Sequence, residues 1–268
     1  MTKLSIGQAW EETKAITARE GRLLGAVALA LVALPSVVSG LVAPGGLLSP
    51  QPRPAWATAI LILASLIALA GQLALIRLAL GPATTVGEAI GHGLRRMPIY
   101  LLAVVLAACA IMLASLPLGF ILAALGVQLE GESLPVTPAT VLVGLAYLAL
   151  ILFLFVRLLM AGPVASAEAA GPIAILKRSW ALTSGQWWRL FGFIVLFLIA
   201  AAVAQLAIGA TIGTLVVALL GPLKPLSASA LLVSLVGALI AAAVTVFLTT
   251  MLARIYVQLS GAEPIKGI

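Results

Sequence analysis

Residues 171–189 hold the densest set of side chains in this sequence that could bind a charged molecule. The segment contains two adjacent cations, three tryptophans, and a third cation that opens the next apolar run: Lys177, Arg178, Trp180, Trp187, Trp188 and Arg189. Cationic side chains bind phosphate through charge-assisted hydrogen bonds, and tryptophan is enriched at membrane interfaces. The segment therefore fits two interpretations, an ordinary interfacial belt or a surface that binds phospholipid headgroups.

Three further arginines each lie about one helical turn from the end of an apolar run, at Arg77, Arg157 and Arg254. One interpretation is that their long side chains extend to the lipid headgroups while their stems stay in the apolar layer. The other is that three equivalent helices place three guanidiniums at one depth. Together with Lys177 and Arg178 they would then hold a lipid phosphate, which the guanidinium plane can bind through two hydrogen bonds.

Polar side chains within the apolar runs are few, and the largest are Gln72 and Gln205. Either residue could form a hydrogen bond between helices, or could line a path for a solute. Gly209 and Gly213 form a GxxxG pattern, which is typical of close helix packing inside a bundle or between two copies of a chain. Transport of a polar solute or an ion is disfavoured, because ionisable residues are missing from the middle of the predicted spans.

Residues for catalysis are scarce. The sequence has no Asp and no Asn, eight Glu that lie outside the predicted spans, one Cys, and one His, His92, in a basic segment. It contains no phosphate-binding GxxxxGK[ST] loop, no HExxH and no CxxC. We therefore expect no enzymatic activity, no metal site and no cofactor, and we interpret His92 as a solvated side chain at headgroup level.

The composition predicts a polytopic membrane protein. The chain has 268 residues, of which 63% are hydrophobic and 9% charged, whereas soluble domains carry about 25% charged residues. Apolar runs recur that exceed the ~18 residues needed to cross a hydrocarbon core of ~30 Å. The net charge of +7 is explained by basic residues at an anionic lipid surface, and not by nucleic-acid binding.

The predicted fold is all-α, with six transmembrane helices in one membrane domain spanning residues 1–268. The spans cover about residues 23–43, 55–80, 98–125, 138–161, 190–220 and 226–253, and amphipathic surface helices precede them at 1–21, 84–97 and 171–189. Thirteen of the 15 Lys and Arg residues fall on one side of the membrane, and only Arg53 and Lys224 on the other. Since positive residues stay in the cytoplasm, both termini and the surface helices are predicted to be cytoplasmic.

An internal repeat organises these spans. Ser5 and Gln8 form a capping-box pattern that returns 80 residues later as Thr85 and Glu88, and Arg157 follows Arg77 by the same 80 residues. Two coincident offsets predict three units, 1–80, 81–161 and 162–268, each with a surface helix followed by a hairpin of two spans. The arrangement predicts pseudo-threefold symmetry.

One string resembles a known bacterial family: Lys177-Arg178-Ser179-Trp180-Ala-Leu182-Thr183-Ser-Gly185-Gln-Trp187-Trp188-Arg189. It is similar to the membrane domain attached to some glycerophosphodiester phosphodiesterases and to related stand-alone inner-membrane proteins of unknown role. The resemblance implies an α-helical protein of the bacterial inner membrane. It does not imply phosphodiesterase activity, because those hydrolases keep their metal-binding Glu, Asp and His residues in a separate soluble domain.

Two functions follow as expectations. The first is a non-enzymatic inner-membrane protein that organises the membrane, contacts anionic phospholipids of the cytoplasmic leaflet, or assembles with a protein partner or a second copy through its surface helices. The alternative is a small transporter or permease subunit for an apolar or lipid-like substrate. A polar cavity reaching Gln72 or Gln205 would favour transport, and grooves beside the arginines would favour lipid contact.

Overall fold

The computed structural model describes residues 4–43, 54–81, 85–124 and 137–261. Helices hold 90% of these residues, and the described ranges contain no strand. The prediction of an all-α protein is therefore confirmed. Residues 44–53, 82–84 and 125–136, which connect the first four spans, lie outside the described residues. They include Arg53.

The described helices follow one another along the chain with short connections. Their bounds are α1 Ile6–Ala28, a π-helical turn at Leu29–Ala33, α2 Leu34–Val42, α3 Ala55–Leu80, α4 Val86–Ala124, α5 Pro138–Leu158, α6 Ala161–Ala167, α7 Pro172–Thr183, α8 Trp187–Leu220 and α9 Ala228–Ser260.

Six helical stretches are long and apolar enough to cross a membrane, which confirms the predicted number of spans. They cover Ile6–Val42, Ala55–Leu80, Val86–Ala124, Pro138–Ala167, Trp187–Leu220 and Ala228–Ser260. A helix of about 20 residues crosses the hydrocarbon core. The stretches of 37 and 39 residues therefore extend well beyond it.

The first two predicted surface helices are not separate elements. α1 passes through the π-helical turn into α2, and α4 runs unbroken through Pro98 and Pro117. The π-helical turn ends at Ala33, shortly before Pro35, where the missing amide donor favours local rearrangement of the helix. Only α7, the third surface helix, is separated from its span, by a turn in which Gly185 adopts a φ of +83°.

Side-chain caps begin both α1 and α4, as predicted, with one difference from the prediction. Thr85 and Glu88 form the reciprocal capping box, because each side chain accepts a hydrogen bond from the other residue's backbone amide. At the first helix only half the box is present. The Ser5 hydroxyl accepts from the Gln8 amide, while the Ser5 amide donates to Gln258 of α9.

The larger of the two buried clusters lies at one end of the bundle, where α3 and α9 are the central helices. α3 contacts α1, α2, α4, α6 and α9, while α9 also contacts α8. The end of α3, residues 70–80, is buried except for Gln72 and Arg77, and residues 249–256 of α9 are buried except for Arg254. We call this region, together with α6 and the buried face of α7, the packed end.

Two glycines permit the closest helix approaches in this core. A Cβ atom at Gly93 of α4 would lie 2.5 Å from the carbonyl oxygen of Ala70 in α3. One at Gly71 of α3 would lie 2.5 Å from the Cβ atom of Leu31 in the π-helical turn. Without a side chain at these positions the backbones come together, as is common in membrane bundles.

Candidate functional site

α7 is docked against the end of α5 by its buried face, which consists of Ile175, Ser179, Leu182 and Thr183. These positions recur at three- and four-residue steps and so share one side of the helix. The Ser179 hydroxyl donates to the Arg157 carbonyl oxygen at 2.8 Å, and Thr183 donates to the same oxygen at 3.4 Å. The opposite face, with Lys177, Arg178 and Trp180, is therefore turned outward and exposed.

Arg157 is held between aromatic rings and does not simply extend into the headgroup layer. Its guanidinium carbon lies 4.9 Å from the ring centre of Trp180 and 5.2 Å from that of Phe153, within the range of cation–π attraction. Its Nη1 donates to the Ser184 hydroxyl at 2.9 Å. This arginine fixes α7 and the following turn on the end of α5.

The three tryptophans have different surroundings. Trp187 stacks on Phe191 with ring centres 4.9 Å apart, and its indole nitrogen donates to the Phe153 carbonyl oxygen at 3.4 Å. Trp180 is 42% exposed and Trp188 is 77% exposed. Two of the three rings are therefore available to the surroundings, while Trp187 fastens α8 to α5.

Lys177 and Arg178 are neighbours with different environments. Arg178 Nε lies 3.1 Å from Glu168 Oε1, which also accepts a hydrogen bond from the Tyr256 hydroxyl at 2.8 Å. Lys177 is exposed and forms no ion pair within the part of the chain that the structure describes. Lys177 is thus the cation of this pair that remains available to a ligand.

Arg189 binds the protein itself. Its Nη1 donates to the Leu4 carbonyl oxygen at 3.0 Å, and so joins the start of α8 to the segment before α1.

The span-end arginines have separate partners. Arg77 is an electrostatic neighbour of His92 in α4, and Arg157 contacts α7. Arg254 donates to the Ala79 carbonyl oxygen, and the side chains of Glu12 and Glu20 in α1 lie in its electrostatic surroundings. Each arginine therefore faces a different one of the three predicted surface segments.

α6 is a short buried segment that the sequence analysis missed. Residues 161–166 are all buried, and α6 contacts α3, α4, α7 and α9. Ser166 donates its hydroxyl to the Leu73 carbonyl oxygen at 3.2 Å. The Gly162-Pro163 pair was predicted to end the fourth span. The small residues around this pair instead form α6, which packs in the centre of the packed end.

The prediction of a solvated His92 is wrong. Its Nε2 lies 2.9 Å from the Ser166 carbonyl oxygen, and the side chain is partly buried. This contact depends on the buried position of α6, for which the sequence contains no local signal. His92 therefore ties α4 to α6.

The two glutamines do not form a shared polar site. Gln72 is partly buried and Gln205 is exposed, and neither has a hydrogen bond to another described residue. A Cβ atom at Gly209 or Gly213 would meet nothing within 4 Å among the described residues. The GxxxG pattern thus makes no close contact inside the described bundle.

An apolar cleft of about 370 Å³ lies between α4 and α5 and reaches the exposed face of α7. Its lining consists of Ala107, Ala110, Ile111, Ala114, Leu154, Leu158, Leu176, Lys177 and Trp180. The volume is in the range of small-molecule sites. Neither Gln72 nor Gln205 lines it, so the cleft does not have the polar character that a route for a polar solute needs.

Within the described residues, no group of three or more His, Cys, Asp or Glu side chains could hold a metal ion. The polar and aromatic contacts instead join helices at the packed end and leave Lys177, Trp180 and Trp188 facing outward. Six apolar helices of spanning length with this polar end define a multi-pass membrane protein.

The chain belongs to the family described as "Domain of unknown function (DUF7847)", whose model matches residues 4–259. Comparison with curated proteins and with solved structures finds no match.

Proposed function

We propose that this protein is a non-enzymatic component of the bacterial inner membrane that contacts anionic phospholipid through the outward face of α7 and the start of α8. The observation that carries the proposal is the contrast within this face. Arg157, Arg178 and Arg189 each have a protein partner, whereas the exposed Lys177 has no ion pair among the described residues, and Trp180 and Trp188 are exposed on the same side. A lysine that lines the same cleft as an exposed tryptophan is suited to headgroup phosphates.

The proposal includes a three-unit architecture, in which each surface segment precedes a hairpin of two spans. Contacts between α2 and α3, between α4 and α5, and between α8 and α9 support the hairpins. The arginines support the repeat. The end of each unit's second span lies beside the surface segment of the next unit, in cyclic order from Arg77 to Arg157 to Arg254.

The outward face of α7 belongs on the cytoplasmic side in this proposal. The positive-inside tendency supports that orientation, since thirteen of the 15 basic residues fall on one side of the predicted topology. The cytoplasmic leaflet carries the anionic lipids that a polybasic surface attracts, with about 1 kcal/mol per Lys or Arg near the surface. The similarity of residues 177–189 to the membrane domain of certain phosphodiesterases fits the same location.

Native mass spectrometry of the full chain, extracted gently from its own membrane, tests the proposal. We expect copurified anionic phospholipid at a defined stoichiometry, and less of it in Lys177→Gln. The matched control is Lys224→Gln, which removes the same charge from the exposed loop between α8 and α9. Equal amounts of anionic and zwitterionic lipid, unchanged in Lys177→Gln, would contradict the proposal.

A further inference from the structure

We propose that the cleft between α4 and α5 binds one acyl chain of a single anionic phospholipid, whose phosphate lies at Lys177 and Trp180. The inference rests on the proposed function and assigns it a specific site. It differs from general contact with the headgroup layer, because it predicts one lipid in a fixed position. The cleft, its lining and the charges at its mouth each support it.

Short side chains create the cleft. Ala107, Ala110, Ile111 and Ala114 recur along α4 at three- and four-residue steps, so they share one face of the helix. Seven residues of helix rise correspond to about 10 Å. Over this length the alanines are too short to fill the space in front of α5, which leaves room for a narrow apolar chain.

The charges at the mouth of the cleft, where it reaches α7, favour an anionic headgroup on the ligand. Lys177 lines the cleft and has no carboxylate partner among the described residues. Arg157 lies against Trp180, and its buried Nε has no hydrogen-bond partner in the described part of the chain. An available lysine at the mouth of an apolar cleft, with a second cation behind Trp180, complements a molecule with an anionic group joined to a long hydrocarbon chain, which is the chemistry of an anionic phospholipid.

The shape of the cleft distinguishes this lipid from the lipids that cover any membrane helix. Inside a bilayer an apolar side chain gains little by exchanging one hydrocarbon neighbour for another. A concave site gains from contact on several sides, and a charge at its end fixes the register of the bound chain. The lipid in the cleft should therefore exchange more slowly than its neighbours.

Lipid binding to the purified full chain, measured by native mass spectrometry, tests the site. The probes are phosphatidylglycerol and phosphatidylcholine with identical acyl chains. Ala110→Phe fills the cleft, whereas Ala108→Phe adds the same ring at an exposed position of α4 that does not line it. We expect Ala110→Phe to weaken phosphatidylglycerol binding about tenfold, and Ala108→Phe to leave it unchanged.

The charge at the mouth is tested with the same probes. Lys177→Gln should weaken phosphatidylglycerol binding about fivefold, the change expected for one basic residue at an anionic surface, and should leave phosphatidylcholine unaffected. If Ala110→Phe and Ala108→Phe bind phosphatidylglycerol equally well while Lys177→Gln still weakens binding, the cleft inference is wrong and the proposed surface contact stands. If the wild-type protein shows no preference for phosphatidylglycerol, both are wrong.

Photocrosslinking provides a readout that does not depend on a cleft-filling variant folding. Phosphatidylglycerol that carries a diazirine in its acyl chain is bound to the wild-type protein and irradiated, and the labelled peptides are mapped. The inference predicts labelling concentrated at residues 107–114 and 154–158. Labelling spread evenly over the lipid-facing helices would overturn it. In the binding experiment, Ala114→Phe takes the place of Ala110→Phe if the Ala110→Phe protein does not fold.

Discussion

Two regions of this bundle differ sharply in packing, although their sequences are almost equally apolar. At the packed end, residues 70–80 of α3 and 249–256 of α9 are buried apart from Gln72, Arg77 and Arg254. By contrast, the described residues 104–124 of α4, 138–155 of α5 and 195–215 of α8 include no buried side chain. We call these three ranges the sparse half.

The difference shows where the fold gains its stability. Lipid covers an exposed apolar side chain at little cost, so helices within a bilayer can remain loosely packed. Contacts between helices must then come from close packing and from polar groups, and the sparse half contributes no buried side chain to them. The sparse half is left free to adapt to lipid or to a partner, and the cleft lies at its boundary with α7.

The strongest test of this comparison is a pair of leucine truncations. Leu73→Ala removes a fully buried side chain from the packed end, and Leu206→Ala removes one that is 69% exposed in the sparse half. We expect a loss of about 2–5 kcal/mol in the free energy of unfolding for Leu73→Ala, because a cavity remains. Leu206→Ala should change it by less than about 1 kcal/mol.

Reversible unfolding of the purified protein in mixed detergent micelles measures both variants. Equal losses for the two truncations would show that the sparse half contributes as much to stability as the packed end, and would contradict the comparison.

A pair of glycine substitutions should give the next largest difference, with a loss of stability in only one of the two variants. Gly93→Ala places a methyl group 2.5 Å from the Ala70 carbonyl oxygen, so α3 and α4 must separate. We expect a loss of about 1–3 kcal/mol. Gly209→Ala meets nothing within 4 Å among the described residues, and higher helix propensity should make it neutral or stabilising by up to about 1 kcal/mol.

The same unfolding measurement compares the two alanine variants. A destabilising Gly209→Ala would point to close packing at the GxxxG pattern in the purified sample. The mass of the protein–detergent complex then determines whether a second copy supplies that contact.

Sequence alone predicts the helices well. The apolar runs are long enough to cross the hydrocarbon core of a bilayer, and runs of that length are expected to fold as transmembrane helices. It also predicts the capping box of Thr85 and Glu88, whose pattern is purely local. It does not predict which faces are buried. α3 and α9 are apolar all around, so they lack the one-sided pattern from which a buried face is inferred.

The site was only partly predictable for a related reason. The basic and aromatic residues of 171–189 indicate an interfacial segment, but residue types do not reveal which cations have partners. Arg178 is paired because Glu168 of the preceding loop lies beside it, and Tyr256 of α9 donates a hydrogen bond to the same carboxylate. The buried position of α6, and with it the contact between His92 and Ser166, likewise depends on tertiary packing.

Removing a hydroxyl group tests the polar contribution at the packed end. Tyr256→Phe deletes the hydrogen bond to Glu168, which measures 2.8 Å. We expect a loss of about 1 kcal/mol in the free energy of unfolding. Tyr147→Phe makes the same chemical change on an exposed side chain of the sparse half, and it should have no measurable effect. Similar values for both variants would show that the Glu168 contact adds nothing to stability.

The smallest expected effect separates stability from binding at two adjacent residues. Arg178→Gln removes an ion pair whose side chains are 45% and 31% exposed. Because water screens such a pair, the free energy of unfolding should fall by less than about 1 kcal/mol, and by less still in high salt. Lys177→Gln should leave that free energy unchanged, since no described carboxylate pairs with it, yet it should weaken phosphatidylglycerol binding. If Arg178→Gln weakened lipid binding as much as Lys177→Gln, the whole basic face would bind lipid, and the distinction between a paired arginine and an available lysine would be lost.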